Sequence, residues 1–224
     1  NMEDKILTAI LDAYREGVFP MAESAQNDDF AFYRPYQRGL LPFKNLHIPQ
    51  KLLKTLRQKK YTVTLDTAFE KIIDGCAMAT SSKRDNTWIN KPIRDIFVAL
   101  HHAGHAHSIE AWNLKGELMG GLYGLSIGAV FCGESMVSFQ TNGSKIALVY
   151  LCAVLKQAGY EILDTQFINP HLLQFGAYEI DQSDYEERIK SEIDKKPQSL
   201  REGMVSFACL EQYLEGIHDS QQSL

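Results

Sequence analysis

A chain of 224 residues, 45% hydrophobic and 23% charged, can bury a substantial core and is neither disordered nor fibrous. Its net charge of −5 argues against a general nucleic-acid binder. No apolar run reaches the roughly 18 residues of a membrane span and no basic start leads into an apolar signal core, so a soluble, cytoplasmic protein is expected.

The first periodic segment, residues 3–16, places Ile6, Leu7, Ile10, Leu11 and Tyr14 on one helical stripe that Gly17 can terminate. A stretch rich in Pro and aromatics follows, with short strands or irregular chain from Phe30 to Arg38. Residues 50–60 predict a short helix with Leu52, Leu53 and Leu56 inward and basic side chains outward. Residues 1–60 carry 10 Lys/Arg against 7 Asp/Glu, whereas residues 181–224 carry 5 against 10. This helix is therefore the place for a modest basic patch, which is either a solvated face or a phosphate contact.

Tyr61 to Leu65 alternates as a strand, Thr67 to Ala77 reads as a helix, and Ala79 to Asn86 is polar. Asn90 can cap a helix with Pro92 in its first turn and Ile93, Ile96, Phe97 and Leu100 as its core stripe. His107 to Trp112 and Leu118 to Leu125 read as strands joined at Lys115-Gly116. His101, His102, His105 and His107 straddle a helix end and a strand start, a pattern of surface or cap residues rather than ligands. Cys76, Cys132, Cys152 and Cys209 have no metal-ligand spacing, so buried reduced thiols and no metal site are expected. Beyond the central segment come a short helix from His171 to Phe175, a strand at Tyr178 to Ile180, a helix over Asp181 to Asp194 and one more near Ala208 to Gly216.

The central segment from Gly120 to Phe167 concentrates the chemistry. An apolar strand containing Phe131-Cys132-Gly133-Glu134-Ser135-Met136, a polar loop from Gln140 to Lys145, an apolar helix from Ile146 to Ala158 and a strand from Tyr160 form a crossover unit of an α/β sheet. Period-2 geometry sets Ile162, Asp164 and Gln166 on one face of the last strand. An Asp there either binds something or caps the next turn. Glu134 sits in an apolar strand and needs a cation or a hydrogen-bond donor, and Gly133 beside it allows a bulge that re-aims the carboxylate.

Six motifs then follow one another in order: Tyr14-Arg15-Glu16-Gly17-Val18-Phe19-Pro20-Met21, Asn86-Thr87-Trp88-Ile89-Asn90, His105 to Trp112, Gly120-Gly121-Leu122-Tyr123-Gly124, Phe131 to Met136 and Asp164-Thr165-Gln166-Phe167. Together the chain from about Ile6 to Ile180 resembles the leucyl/phenylalanyl-tRNA protein transferases. The resemblance implies an α/β (α+β) architecture: a mixed sheet flanked by helices with the general N-acetyltransferase (GNAT) fold over residues 61–194, a small N-terminal domain over 2–60 and a tail over 195–224 with no assigned role. It implies transfer of Leu, Phe or Met from aminoacyl-tRNA to the N-terminal amine of proteins beginning with Arg or Lys, tagging them for N-end-rule degradation. The protein would be a monomer.

By the same resemblance Asp164 and Gln166 position and help deprotonate the attacking amine, and Glu134 holds the amino group of the aminoacyl moiety. Phe131 and Met136 line the aminoacyl pocket, Trp88 lies near the terminal adenosine, and Lys59, Lys60 and Lys145 meet tRNA. The family's usual Arg after Ser138 is Phe139 here, so one cationic contact is missing. Because an aminoacyl ester is already activated, no cofactor is needed. Two rival classes stay open: an acyl-CoA-dependent N-acetyltransferase, since Gln140 to Lys145 approximates a pyrophosphate-binding loop, and a non-catalytic tRNA- or peptide-binding module. From the shared strand face, Asp164→Ala and Gln166→Ala are expected to impair transfer while hardly changing folding.

Overall fold

The computed structural model describes residues 1–24, 26–81 and 89–222. In chain order these form α1 (Met2–Arg15), β1 (Phe19–Ala22), β2 (Phe30–Tyr33), β3 (Gln37–Leu41), α2 (Gln50–Gln58), β4 (Tyr61–Leu65), α3 (Phe69–Ser81) and α4 (Lys91–His102). Then come β5 (Ala106–Asn113), β6 (Leu118–Ile127), β7 (Val130–Ser138), α5 (Gly143–Ala158), β8 (Ile162–Gln166), α6 (Pro170–Leu173), β9 (Tyr178–Asp181), α7 (Gln182–Lys190), β10 (Gly203–Val205) and α8 (Phe207–Gln222). Trp88 and the stretch 82–86 lie outside the described residues.

Local chemistry accounts for most boundaries. A reciprocal capping box between Asn1 and Asp4 starts α1, and the Asn90 side chain accepts from the Ile93 N–H to start α4, with Pro92 in the first turn. The segment from Ile146 lacks a clear apolar stripe because α5 is buried nearly all round. That helix begins three residues earlier than its apolar run, since the polar loop supplies its first turn: the Ser144 N–H donates to Ser138 Oγ at 2.9 Å. Gly159, at φ 89, ends it in the left-handed conformation that glycine adopts without a Cβ penalty.

One eight-stranded mixed sheet runs in the order β10-β4-β5-β6-β7-β8-β3-β9. On one side α2, α5 and α8 bury Leu52, Leu56, the inner length of α5, Leu210, Tyr213 and Ile217; on the other α1, α3, α4 and α7 bury Ile10, Tyr14, Phe69, Ile72, Phe97 and Tyr185. Each fully buried Leu, Ile or Phe contributes about 1.5–3 kcal/mol, so the two layers together anchor the sheet. The boundaries expected at residues 60 and 194 both cut through this sheet: β3, from the N-terminal stretch, lies between β8 and β9, and β10, from the tail, pairs with β4. The tail continues into α8, whose Tyr213 hydroxyl donates to the Phe43 carbonyl.

Candidate functional site

Strands β7 and β8 are parallel neighbours for only three registers, ending with Cys132 opposite Asp164. Past that point they part, and β8 keeps its ladder with β3, where Gly39 pairs with Gln166. On the other side of β7 the register slips: Gly124 pairs with Gly133 and Tyr123 with Ser135, leaving Glu134 as an extra residue. This is the bulge that Gly133 suggested. The backbones run close there: a Cβ at Gly133 would come within 3.3 Å of the Asp164 carbonyl oxygen, a tight contact.

The bulge turns the Glu134 carboxylate toward β8. Gln166 Nε2 donates to both of its oxygens at 3.0 Å, and the Tyr14 hydroxyl, from the last turn of α1, donates to Oε1 at 2.5 Å. Burial pushes the Glu134 carboxyl up to about 7, and these two donors work against that rise. The Tyr14 hydroxyl is itself held well above its ordinary range, by burial first and by Glu134 second, so it remains a neutral donor. Among the described residues no cation pairs with Glu134. A carboxylate that is bonded only to neutral donors and titrates near neutrality is suited to receive an ammonium group.

Asp164 sits in a different environment. It has no exposed surface, and four donors fill its oxygens: Arg38 Nε at 2.8 Å and the Gln166 backbone N–H at 2.7 Å on Oδ1, Arg38 Nη2 at 2.5 Å and the Tyr185 hydroxyl at 3.1 Å on Oδ2. Arg38, 1% exposed, also donates from Nη1 to the Gly17 carbonyl at 2.7 Å and lies over the rings of Phe19 and Tyr185. Burial alone would favour its neutral form, and the Asp164 carboxylate more than reverses this, so Arg38 stays protonated. Asp164 therefore has no lone pair to offer an incoming amine. What it does hold is Gln166, whose φ of 62 is a left-handed conformation that a non-glycine residue keeps only when its surroundings enforce it.

The remaining expected residues fall in two groups. Phe131 is wholly buried with its ring edge-on to Tyr160, and Met136 is half-buried against the same core cluster. Lys59 closes α2 and Lys60 follows it just before β4, both exposed, while Lys145 lies half-buried in the first turn of α5. Lys59 Nζ rests 4.1 Å over the Phe207 ring of α8. Strand pairing brings these lysines to the end of the sheet where β7 and β8 part, because Tyr61 pairs with Asn113 and Gly120 with Ser138. Phe139, which stands in place of the expected Arg, is half-exposed and lies on α3 at Gly75, where a Cβ would collide with its ring.

Two features turn out to be structural. The glycine of the Gln140 to Lys145 loop, Gly143, packs on β6, since a Cβ there would collide with the Met119 carbonyl oxygen; that explains the glycine without a bound pyrophosphate. The histidines line an open cleft of about 1260 Å³ at the opposite end of the sheet. There His107 Nδ1 meets Asp66 Oδ2 at 2.7 Å and His101 Nδ1 meets the Ala106 carbonyl at 2.9 Å. Tyr14, Arg38 and Tyr185 belong to the site although the sequence assigned them no role. The available signal was the cost of burying Asp164, which required a partner, and Arg38 beside the apolar run Gly39-Leu40-Leu41 was a candidate.

A family model described as leucyl/phenylalanyl-tRNA protein transferase matches residues 40–190, which include Glu134, Asp164 and Gln166. The chain is similar to the leucyl/phenylalanyl-tRNA protein transferase of Paramagnetospirillum magneticum, 48% identical over 180 residues that cover 80% of this chain and 85% of that one. To the enzyme of the same name from Caulobacter vibrioides it is 45% identical over 184 residues, covering 82% and 84% of the two chains. Among solved structures it is similar to an acetyltransferase of the GNAT family from Staphylococcus aureus, at 10% identity and a TM-score of 0.34, over 45% of this chain and 70% of that one.

Proposed function

The chain belongs to the leucyl/phenylalanyl-tRNA protein transferase family, and from that membership and the geometry of the site we propose that it moves Leu, Phe or Met from aminoacyl-tRNA to the N-terminal amine of proteins beginning with Arg or Lys, marking them for N-end-rule degradation. The attacking nitrogen forms a C–N bond with the ester carbonyl carbon, the C–O bond to the ribose breaks, and the proton released by nitrogen ends on the departing ribose oxygen. Most of a protein α-amine, with a pKa of about 7.7–8.0, is ammonium at neutral pH, so its proton must be lost before attack. The enzyme contributes mainly alignment of two reactants whose ester is already activated.

The observation that carries this reading is the joined pair of Glu134 and Gln166 at the mouth of the β7/β8 split. Glu134 holds the ammonium of the aminoacyl group. Gln166, its amide nitrogen committed to Glu134, offers its amide oxygen to an N–H of the attacking amine. Asp164 acts through Gln166 and is a positioning residue; the direct part in deprotonation expected from the sequence does not fit a carboxylate whose oxygens are filled. Phe131, in the core cluster on the α5 side of the sheet, and Met136, packed against that cluster, are assigned to the apolar wall of the pocket. The test is transfer of radiolabelled Leu from charged tRNA to an Arg-initiated peptide. Label on the peptide is the expected result, and acetylation from acetyl-CoA with no transfer from tRNA would overturn it.

Apolar walls around a single carboxylate should favour Leu, Phe and Met over Val and Ile, which branch at Cβ and are stiff at χ1. Shape discrimination of this kind amounts to about 1–3 kcal/mol, or roughly 10–200-fold in rate. Transfer from tRNAs charged with each of the five onto one peptide measures it, and Ile or Val equalling Leu would refute this pocket.

Lys59, Lys60 and Lys145, at the same end of the sheet, are assigned to tRNA phosphates. Replacing Lys59 and Lys60 with Ala is expected to weaken tRNA binding and to reduce the log–log salt slope by up to about 2, because two fewer counterions are released. An unchanged slope would make them a solvated face, with Lys59 serving only its contact on Phe207.

A further inference from the structure

We propose that Arg38 is a positioning residue for the transfer, a buried strut that sets Tyr14 and Gln166 on Glu134 together. The inference rests on the reading of Glu134 and Gln166 given above. Its basis is the span of one guanidinium. Nη1 holds the carbonyl of Gly17, three residues after Tyr14, while Nε and Nη2 hold Asp164, whose Oδ1 in turn accepts from the backbone N–H of Gln166. The two donors that grip Glu134 come from α1 and β8, elements that do not pair with each other. Arg38, on the strand beside β8, is bonded toward both.

The details fit a device for geometry. A guanidinium presents its donors in a rigid plane, so fixing one end fixes the other, and the rings of Phe19 and Tyr185 at 4.8 and 4.3 Å hold that plane. Gln182 Nε2 adds a second donor to the Gly17 carbonyl at 2.9 Å, where the chain turns at φ 84. Fold stability alone does not call for this pair, since buried ion pairs can often be replaced by apolar residues of similar volume without loss of stability. The strained backbone of Gln166, by contrast, needs a specific acceptor for its N–H, and the ion pair holds that acceptor in place.

The expected consequence is loss of turnover rather than of binding, because a misplacement of about 1 Å can cost on the order of a hundredfold in rate. Arg38→Lys keeps the buried charge but not the planar fork, and Arg38→Met removes both. Each variant is checked by thermal melt, then by kcat, by KM for aminoacyl-tRNA and by the pH profile of kcat/KM. Around Glu134 stand Tyr14 from α1, Arg38 from β3, Tyr123 from β6, Cys132 from β7 and Asp164 and Gln166 from β8, and of these Arg38 alone carries positive charge. In Arg38→Lys that charge is kept, so an upward shift of the acid limb reports loosened contacts from Tyr14 and Gln166.

Expected for Arg38→Lys are a kcat lower by roughly ten- to a hundredfold, a KM changed by less than about threefold and an acid limb moved to higher pH. A folded Arg38→Lys with wild-type kcat and acid limb overturns the proposal, and so does a variant in which KM alone changes. Should Arg38→Met fail to fold, Arg38→Lys decides. Gln166→Ala, measured alongside, separates the two levels: full activity in Gln166→Ala defeats the reading of the site, whereas an inactive Gln166→Ala beside a fully active Arg38→Lys defeats the strut alone.

Discussion

Asp164→Ala lowers transfer at least about a hundredfold and also destabilises the fold. The expectation from the strand face shared with Gln166 is that folding hardly changes. In the structure Asp164 faces Arg38, with both partners at 1% exposure or less. Removing one member of a buried pair leaves the other charge without compensation, which typically costs about 3–5 kcal/mol. The Tyr185 hydroxyl and the Gln166 N–H lose their acceptor in the same step. Asp164→Ala combined with Arg38→Met should regain much of the stability, because the uncompensated charge is gone, and none of the activity, because Gln166 is still unheld. Denaturant melts of the single and double variants beside the transfer assay measure both effects. A wild-type melt for Asp164→Ala would contradict the buried pair.

Glu134→Gln should cost a similar factor in transfer and, in addition, change the pH dependence. The Glu134 carboxyl is raised from an ordinary 4.5 to about 7 in the folded chain. Between those values the folded state binds more protons than the unfolded one, so this group's contribution to stability falls as pH rises through the window. Glu134→Gln lacks that loss and should gain stability relative to wild type at pH 8 compared with pH 5. Activity moves the other way: holding an ammonium requires the carboxylate, so kcat/KM of the wild type falls as pH drops below about 7, on top of the fall due to the substrate amine. In Glu134→Gln the residual activity should follow the amine alone. An acid limb with unchanged midpoint and steepness would show that Glu134 is not the group that titrates.

Cysteine chemistry has no part in this site. Cys76, Cys132 and Cys152 are buried and Cys209 half-buried, and burial pushes the Cys76 thiol up to about 12. Cys132 lies next to the bulge, yet it too is raised by burial and by the neighbouring carboxylates of Asp164 and Glu134. It remains a thiol that packs.

The features determined by sequence alone are those set by forces acting within a few residues. Strand β4 occupies Tyr61 to Leu65 as its alternation requires, α4 begins where Asn90 and Pro92 place it, and Gly133 marks the bulge that turns Glu134. The crossover from β7 through α5 to β8 follows from one long apolar helix between two strands, whereas the two-residue period expected to set Asp164 and Gln166 on one face is interrupted between them, where the register with β3 shifts and Gln166 turns left-handed. What the tertiary structure decided is who meets these groups. Arg38 reaches Asp164 across 126 residues and Tyr14 reaches Glu134 across 120. Nothing in local periodicity says that β3 inserts between β8 and β9 or that β10 and α8 complete the fold behind β4 and α5. Those pairings are selected by the whole set of buried surfaces and backbone hydrogen bonds competing at once. A motif can therefore show that a carboxylate matters, while only the packed chain shows whether it faces the substrate or an arginine.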